Sequence, residues 1–291
     1  MTAEDITLRA RDGYALAATL YRPDGTPRGG ALITAGTGFK RSFYRAFAEE
    51  GARRGLVVLT FDARGIGGSA PADLAAMDMH YTDWGRLDTP AALDRVADEA
   101  GGPVVHVGHS VGGHFAGLWD NPERCAAHAF VCVGSGYWGD HAAWYRPMAL
   151  WFWHGWGRYS LARHGYLKRG GGWTGAPLPR GVVEPWRAWC HRPGYYREAV
   201  AAHREGFRTG DFEGVTAPIR SWVYADDPVA TEKTAKVMLG FYPNAPAETV
   251  VRAPSDYGLS GIGHAGPFPR AKRAAWDEIW DWVAERTRDA R

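Results

Sequence analysis

The sequence predicts an α/β fold in which a mostly parallel sheet is flanked by helices and interrupted once by a helical insertion. Three observations carry this. Short apolar runs without polar alternation, such as LVVLTFD (56–62) and HAFVCVG (128–134), read as strands buried on both faces. They alternate with stretches of helical spacing, the order expected of parallel strands joined by crossover helices. Midway the composition changes: residues 137–210 hold 11 Lys and Arg against 4 Asp and Glu, and eight of the 14 tryptophans. The rest of the chain is net negative, although the whole carries only +2. We therefore expect a core of residues 1–136 and 213–291 and a Trp-rich helical unit of residues 137–212.

Taken in order, residues 5–22 alternate around an Asp-Gly turn and read as an N-terminal hairpin. GGALITAG (29–36) is a short buried strand running into a glycine-rich loop. Phe43 to Arg54 has helical spacing, and LVVLTFD is the next strand. Residues 82–99 read as a helix, PVVHVG (103–108) as a strand, and SVGGHFAGLWD (110–120) as a helix. After HAFVCVG and the insertion the pattern resumes with a strand at 218–226, a helix at 231–239 and a strand at 247–253. The last helix covers about 270–288; Trp276, Ile279, Trp280 and Val283 recur at i, i+3, i+4 and i+7, one apolar stripe for the core.

Composition excludes several classes. With 45% hydrophobic and 23% charged residues over 291 positions, the chain belongs with globular proteins and has room for one large core. No apolar run approaches the roughly 20 residues of a membrane span. MTAEDITLRARDGY does not resemble a signal peptide. Cys125, Cys132 and Cys190 suggest neither a disulfide framework nor a metal site, so a reducing, cytoplasmic setting is expected. His106, His109, His114 and His154 lack ligand spacing, and no metal or other cofactor is expected. No basic cluster interleaves with aromatics, so no nucleic-acid partner is expected; a homodimer is left open.

The chemistry is concentrated in VVHVGHSVGG (104–113), where a strand must turn at once past Ser110. Gly108 and Gly112 let two backbones approach around a sharply bent residue. A serine hydroxyl is a poor nucleophile unless a base takes its proton and an acid orients that base. In a parallel sheet such partners sit in loops beyond the carboxyl ends of later strands. Two loops qualify: YADDPVA (224–230) and GIGHAGPF (261–268). Ser110, Asp227 and His264 give the chain order Ser, Asp, His.

GHSVGG, FDARGIGGS (61–69), ADDPVAT (225–231) and IGHAGPF (262–268) are spread along the chain. Together they resemble the α/β-hydrolase family, in particular its serine hydrolases with a helical cap, similar to S33 serine aminopeptidases. The resemblance implies Ser110 as nucleophile, Asp227 as orienting acid and His264 as general base. It places a cap in the insertion after the sixth strand. It prefers Asp227 over its neighbour, since Asp227 occupies the Asp-x-aliphatic position; Asp226 would then face solvent or cap the turn. Asp140 is the alternative acid, and Asp62, Arg64 and Asp120 are read as structural or surface residues. Many relatives carry His-Gly at the oxyanion loop, where this chain has Ala35-Gly36-Thr37-Gly38. The oxyanion donors are then Val111 with either Thr37 or Gly38, aided by the N-terminus of a helix at Ser110.

The implied activity is cleavage of a carboxylic ester or related acyl bond of a small molecule, through an acyl-enzyme. A thioesterase, an acyl-transfer or cyclisation enzyme of secondary metabolism, and an inactive interaction protein are the alternatives. A serine nucleophile argues against the dehalogenase and epoxide hydrolase chemistries, in which relatives use an Asp. Of the insertion's tryptophans, Trp138, Trp144, Trp151 and Trp186 are expected in the substrate pocket and the others in the insertion's own core.

Overall fold

The strands assemble in the computed structural model, which describes residues 1–289, into one eight-stranded sheet of order β1-β2-β4-β3-β5-β6-β9-β10. The strands β1 (Thr2–Arg9) and β2 (Ala15–Arg22) form the expected hairpin at one edge, turning through Asp12 and Gly13. Strand β2 also runs antiparallel to β4, and all later pairings are parallel. These run through β3 (Gly30–Thr34), β4 (Val57–Phe61), β5 (Val104–His109) and β6 (Cys125–Val131) to β9 (Ile219–Tyr224) and β10 (Ala247–Arg252). Every residue of β3, β4 and β5 is buried, which explains why their sequences do not alternate.

Helices cover both faces. On one side α1 (Arg45–Arg53) and α8 (Trp276–Asp289) pack together, with Phe47 stacked on Trp280 at 4.5 Å between ring centres. The stripe Trp276, Ile279, Trp280 and Val283 is buried there, as its spacing requires. On the other side α2 (Thr89–Ala100) buries Leu93 and Val96. That second apolar layer runs without a break through Phe115 into Trp189, Tyr196 and Phe207, which belong to the segment between β6 and β9.

This segment carries α3 (Arg146–Trp151), α4 (Gly157–His164), the two-residue strands β7 (Tyr166–Leu167) and β8 (Leu178–Pro179), α5 (Arg180–Cys190) and α6 (Arg197–Ala201). A five-residue π turn at Phe152–Trp156 joins α3 to α4, making one helical run. Beyond β9, α7 (Glu232–Leu239) begins at Thr231, whose side chain accepts from the Thr234 N–H.

One expected element is absent. Residues 110–120 form two single 3₁₀ turns, Ser110–Gly113 and Ala116–Leu118, instead of a helix. Gly112, Gly113 and Gly117 each cost a helix about 1 kcal/mol relative to Ala. The glycines serve packing instead: a Cβ on Gly117 would lie 2.4 Å from the Phe212 ring.

Candidate active site

The end of β5 delivers the chain into a turn that only small residues permit. Ser110 has φ = 51°, in the left-handed region that non-glycine residues rarely occupy. A Cβ on Gly112 would stand 2.3 Å from the Thr34 carbonyl oxygen, so the β3 backbone presses directly on the turn. Beneath it lies a buried relay. The Thr34 hydroxyl donates to Gly112 O at 2.9 Å and lies 2.6 Å from His106 Nε2. His106 Nδ1 in turn lies 3.0 Å from His128 Nδ1. The Thr34 proton is committed to Gly112, so His106 must donate from Nε2 and accept at Nδ1 from His128. Burial and the nearby His128 keep His106 neutral, with its pKa well below the ordinary histidine value.

Around this turn the structure brings Ser110, His264 and Asp227 into one hydrogen-bonded chain. Ser110 Oγ is 3.0 Å from His264 Nε2. His264 Nδ1 is 2.9 Å from Asp227 Oδ2 and 3.1 Å from Oδ1. Asp227 Oδ1 also accepts the N–H groups of Val229 and Ala230 at 2.8 and 2.9 Å. Burial alone would raise this carboxyl, but His264 and the two backbone donors outweigh it and hold the pKa below the usual aspartate range. Asp227 is therefore an ionised, fully engaged partner, which fixes His264 with its proton on Nδ1 and its free electron pair toward Ser110.

Asp226 is exposed, and its carboxylate accepts the Ile262 N–H at 2.7 Å and the Gly263 N–H at 3.0 Å. It thus pins the loop carrying His264 to the end of β9. Asp140 pairs with Lys233 at 2.6 Å and takes no part in the chain of bonds. Asp62 binds the Arg41 N–H and guanidinium and the Gly68 N–H, Arg64 is buried against Asp88 and Asp12, and Asp120 pairs with Arg11 on the surface. Each of these is structural.

A second buried histidine joins three loops. His109 Nε2 donates to the His264 carbonyl at 2.8 Å, so its Nδ1 accepts from the Tyr44 hydroxyl at 2.6 Å. Tyr44 Oη itself accepts the Gly36 N–H at 2.9 Å. Burial and the neighbouring His264 push His109 down to about 3, so this pattern persists at neutral pH. The sequence offers no local signal for this link, since Tyr44 lies in a separate helix-forming segment.

Ser110 and His264 open into a cavity of about 170 Å³. Its wall includes Tyr145, Met148, Phe152, Trp153, Trp173 and Trp186. Trp186 meets Trp153 edge-on at 4.8 Å and Trp173 at 6.0 Å. Only Trp186 of the four expected pocket tryptophans is there. Trp144 and Trp151 are 69% and 58% exposed, and Trp138 lies outside the lining. Helical geometry gives the reason: Tyr145, Met148, Ala149, Phe152 and Trp153 follow i, i+3, i+4, i+7, i+8, and Trp144 and Trp151 fall on other faces. That spacing is legible in the sequence and selects Trp153. His141 also lines the cavity, buried, with no hydrogen-bond partner for either ring nitrogen among the described residues; burial holds it neutral at about 4.

The loop of residues 35–38 borders the same cavity through Thr37, whose hydroxyl bonds Tyr81 at 2.5 Å. Gly38 does not line it. Its φ is +76°, its carbonyl accepts the Ala176 N–H, and a Cβ there would meet the Trp173 ring at 2.4 Å. Val111 faces a separate crevice behind the turn, as a residue contributing only its backbone can.

A family model described as "Serine aminopeptidase, S33" matches residues 25–166, just under half of the chain. The fold matches solved structures along essentially its whole length. The chain has the α/β-hydrolase fold. Among the hydrolases it resembles is a thermostable carboxyl esterase from Bacillus coagulans (TM-score 0.64, 15% identity, 100% of this chain and 99% of that one). A soluble variant of the monoglyceride lipase of Saccharomyces cerevisiae gives TM-score 0.65 at 12% identity over 98% and 94%. A hypothetical protein of Pseudomonas aeruginosa gives 0.65 at 18% identity over 98% and 94%. No curated protein matches the sequence.

The two neighbouring acids should separate cleanly. Asp227→Asn is expected to lower kcat by about 10²–10⁴, because the amide cannot hold the imidazole in its required tautomer. Asp226→Asn keeps one acceptor for the loop and should cost less than about tenfold; steady-state kinetics of both variants on one ester decides. Tyr44→Phe leaves the Gly36 N–H and His109 Nδ1 buried without a partner, at about 1–3 kcal/mol. Its melting temperature should fall by several degrees, read by thermal unfolding, and kcat should fall with KM nearly unchanged.

Proposed function

We propose that this α/β hydrolase cleaves carboxylic esters, or closely related acyl bonds, through an acyl-enzyme on Ser110. The observation that carries this reading is the Ser110–His264–Asp227 chain of hydrogen bonds at the mouth of an aromatic cavity. The esterase and the lipase among the similar folds support an ester as the bond cleaved.

Ser110 Oγ attacks the acyl carbonyl carbon as its proton passes to His264 Nε2. The new C–O bond gives a tetrahedral oxyanion, and Asp227 stabilises the imidazolium that forms. The oxyanion is received by the backbone N–H groups of Val111 and Thr37; Thr37 is preferred to Gly38 because it borders the cavity. The single 3₁₀ turn at Ser110 adds far less dipole than a full helix would, so these donors carry most of the stabilisation. Collapse breaks the bond to the alcohol, which takes the proton from His264. A water then repeats the sequence in reverse and frees the acid and Ser110.

Residues 137–212 act in this reading as a cap that sets substrate preference without supplying reacting groups. Trp153, Trp173 and Trp186 then form the acyl wall.

Nitrophenyl esters of increasing acyl length test the proposal. Each methylene buried on the tryptophan wall should raise kcat/KM by up to about fourfold, equivalent to about 0.8 kcal/mol, until the cavity is full. Butyrate or benzoate should exceed acetate, Trp153→Ala and Trp186→Ala should flatten the series, and Ser110→Ala should lose at least about 10³ in kcat. No turnover of any ester by wild type, or turnover surviving Ser110→Ala, would overturn it.

A further inference from the structure

The outer face of the helical run that lines the cavity is unusual for a water-facing surface. Five large hydrophobic side chains among the described residues are exposed, and four of them lie here: Trp144 (69%), Met148 (51%), Trp151 (58%) and Tyr159 (58%). Their spacing of four, three and eight residues keeps them along one stripe, from the residue pair before α3 through the π turn into α4. A cluster of this kind marks an interaction surface rather than scattered exposure.

The charge around the stripe has one sign. From His141 to Val183 the chain contains no Asp or Glu, while it carries Arg146, Arg158, Arg163, Lys168, Arg169 and Arg180. Arg158, Arg163, Lys168 and Arg169 are exposed and have no acidic partner among the described residues. The loop bearing Lys168 and Arg169 is held against the helix, because Trp156 Nε1 donates to Lys168 O at 3.0 Å and Trp151 Nε1 to Gly171 O at 3.1 Å. Cations and tryptophans therefore share one side of the molecule.

We propose that this face docks on an anionic lipid surface, with Trp144, Met148, Trp151 and Tyr159 entering the headgroup boundary and the four cations lying over the phosphates. Aromatic rings with a polar edge and Lys or Arg at their flanks are the composition that such an interface selects. The attachment is peripheral: no helix of the described residues is long and apolar enough to cross a membrane. A second copy of the chain is a poorer occupant, because a symmetric contact would set cation against cation. Met148 belongs both to the stripe and to the cavity wall, so the docked face lies at the rim of the cavity holding Ser110. That an apolar ester passes from the lipid into the cavity rests on the proposed esterase activity; the docking itself does not.

Flotation of the full chain with vesicles tests it, using phosphatidylcholine alone and phosphatidylcholine mixed with phosphatidylglycerol. Wild type should bind the mixed vesicles, bind phosphatidylcholine much less, and be released by salt. Each cation near an anionic leaflet contributes about fivefold, or about 1 kcal/mol. The pair Arg158→Glu and Arg163→Glu should therefore weaken binding by at least about tenfold while turnover of a water-soluble acetate ester stays within about twofold, which also shows that the variant is folded. Trp144→Ser should weaken binding independently of charge. No binding of wild type to mixed vesicles, or equal binding by wild type and both variants, overturns the proposal. So does a dimer in lipid-free solution that Trp144→Ser dissociates, since the stripe would then be covered by a second copy. Absence of ester turnover with vesicle binding intact would contradict the esterase reading alone.

Discussion

The buried imidazole of His109 is the constraint on which the site's geometry depends. It ends strand β5 and immediately precedes Ser110, so its backbone fixes where the turn begins. Its two nitrogens then bind two other loops, one through Tyr44 to the Gly36 N–H and one through the His264 carbonyl. A hydrogen bond in a dry, fully packed setting is costly to leave unmade, so this chain holds three separately encoded loops in register. The second relay, His128 to His106 to Thr34 to Gly112, does the same for the floor of the turn. Together they offset the strain of Ser110 at positive φ, which a lone turn could not hold.

The same constraint sets the state of the buried histidines. His106, His109, His114 and His128 are fully enclosed, and burial keeps each of them neutral at ordinary pH. A neutral imidazole supplies one donor and one acceptor on opposite edges, suited to bridging parallel strands whose loops need both. His264 differs because it is partly open to the cavity and has Asp227 behind it. Environment, not residue type, divides the structural histidines from the one that meets Ser110.

The sheet is legible in the sequence because its central strands are short, apolar and buried on both faces. The grouping of Ser110, Asp227 and His264 is legible for a related reason: parallel strands deliver successive loops to one edge. What the sequence hides depends on contacts between distant segments. The glycines after Ser110 look tolerable in a helix, yet Phe212 and Thr34 occupy the space they leave. Asp226 faces solvent, but the sequence does not reveal its partners, Ile262 and Gly263, because they are backbone amides of a remote loop. Tryptophan content alone does not distinguish one face of a helix from another, which is why the cavity-facing Trp153 is less conspicuous than the exposed Trp144 and Trp151.

Covalent capture by a fluorophosphonate, read by intact mass and peptide mapping, identifies the nucleophile most directly. One adduct per chain is expected, on Ser110, formed far more slowly when His264 is replaced by Ala and absent in Ser110→Ala. An adduct on another residue, or none on protein that turns over esters, would contradict the assignment of Ser110, His264 and Asp227 as the reacting groups.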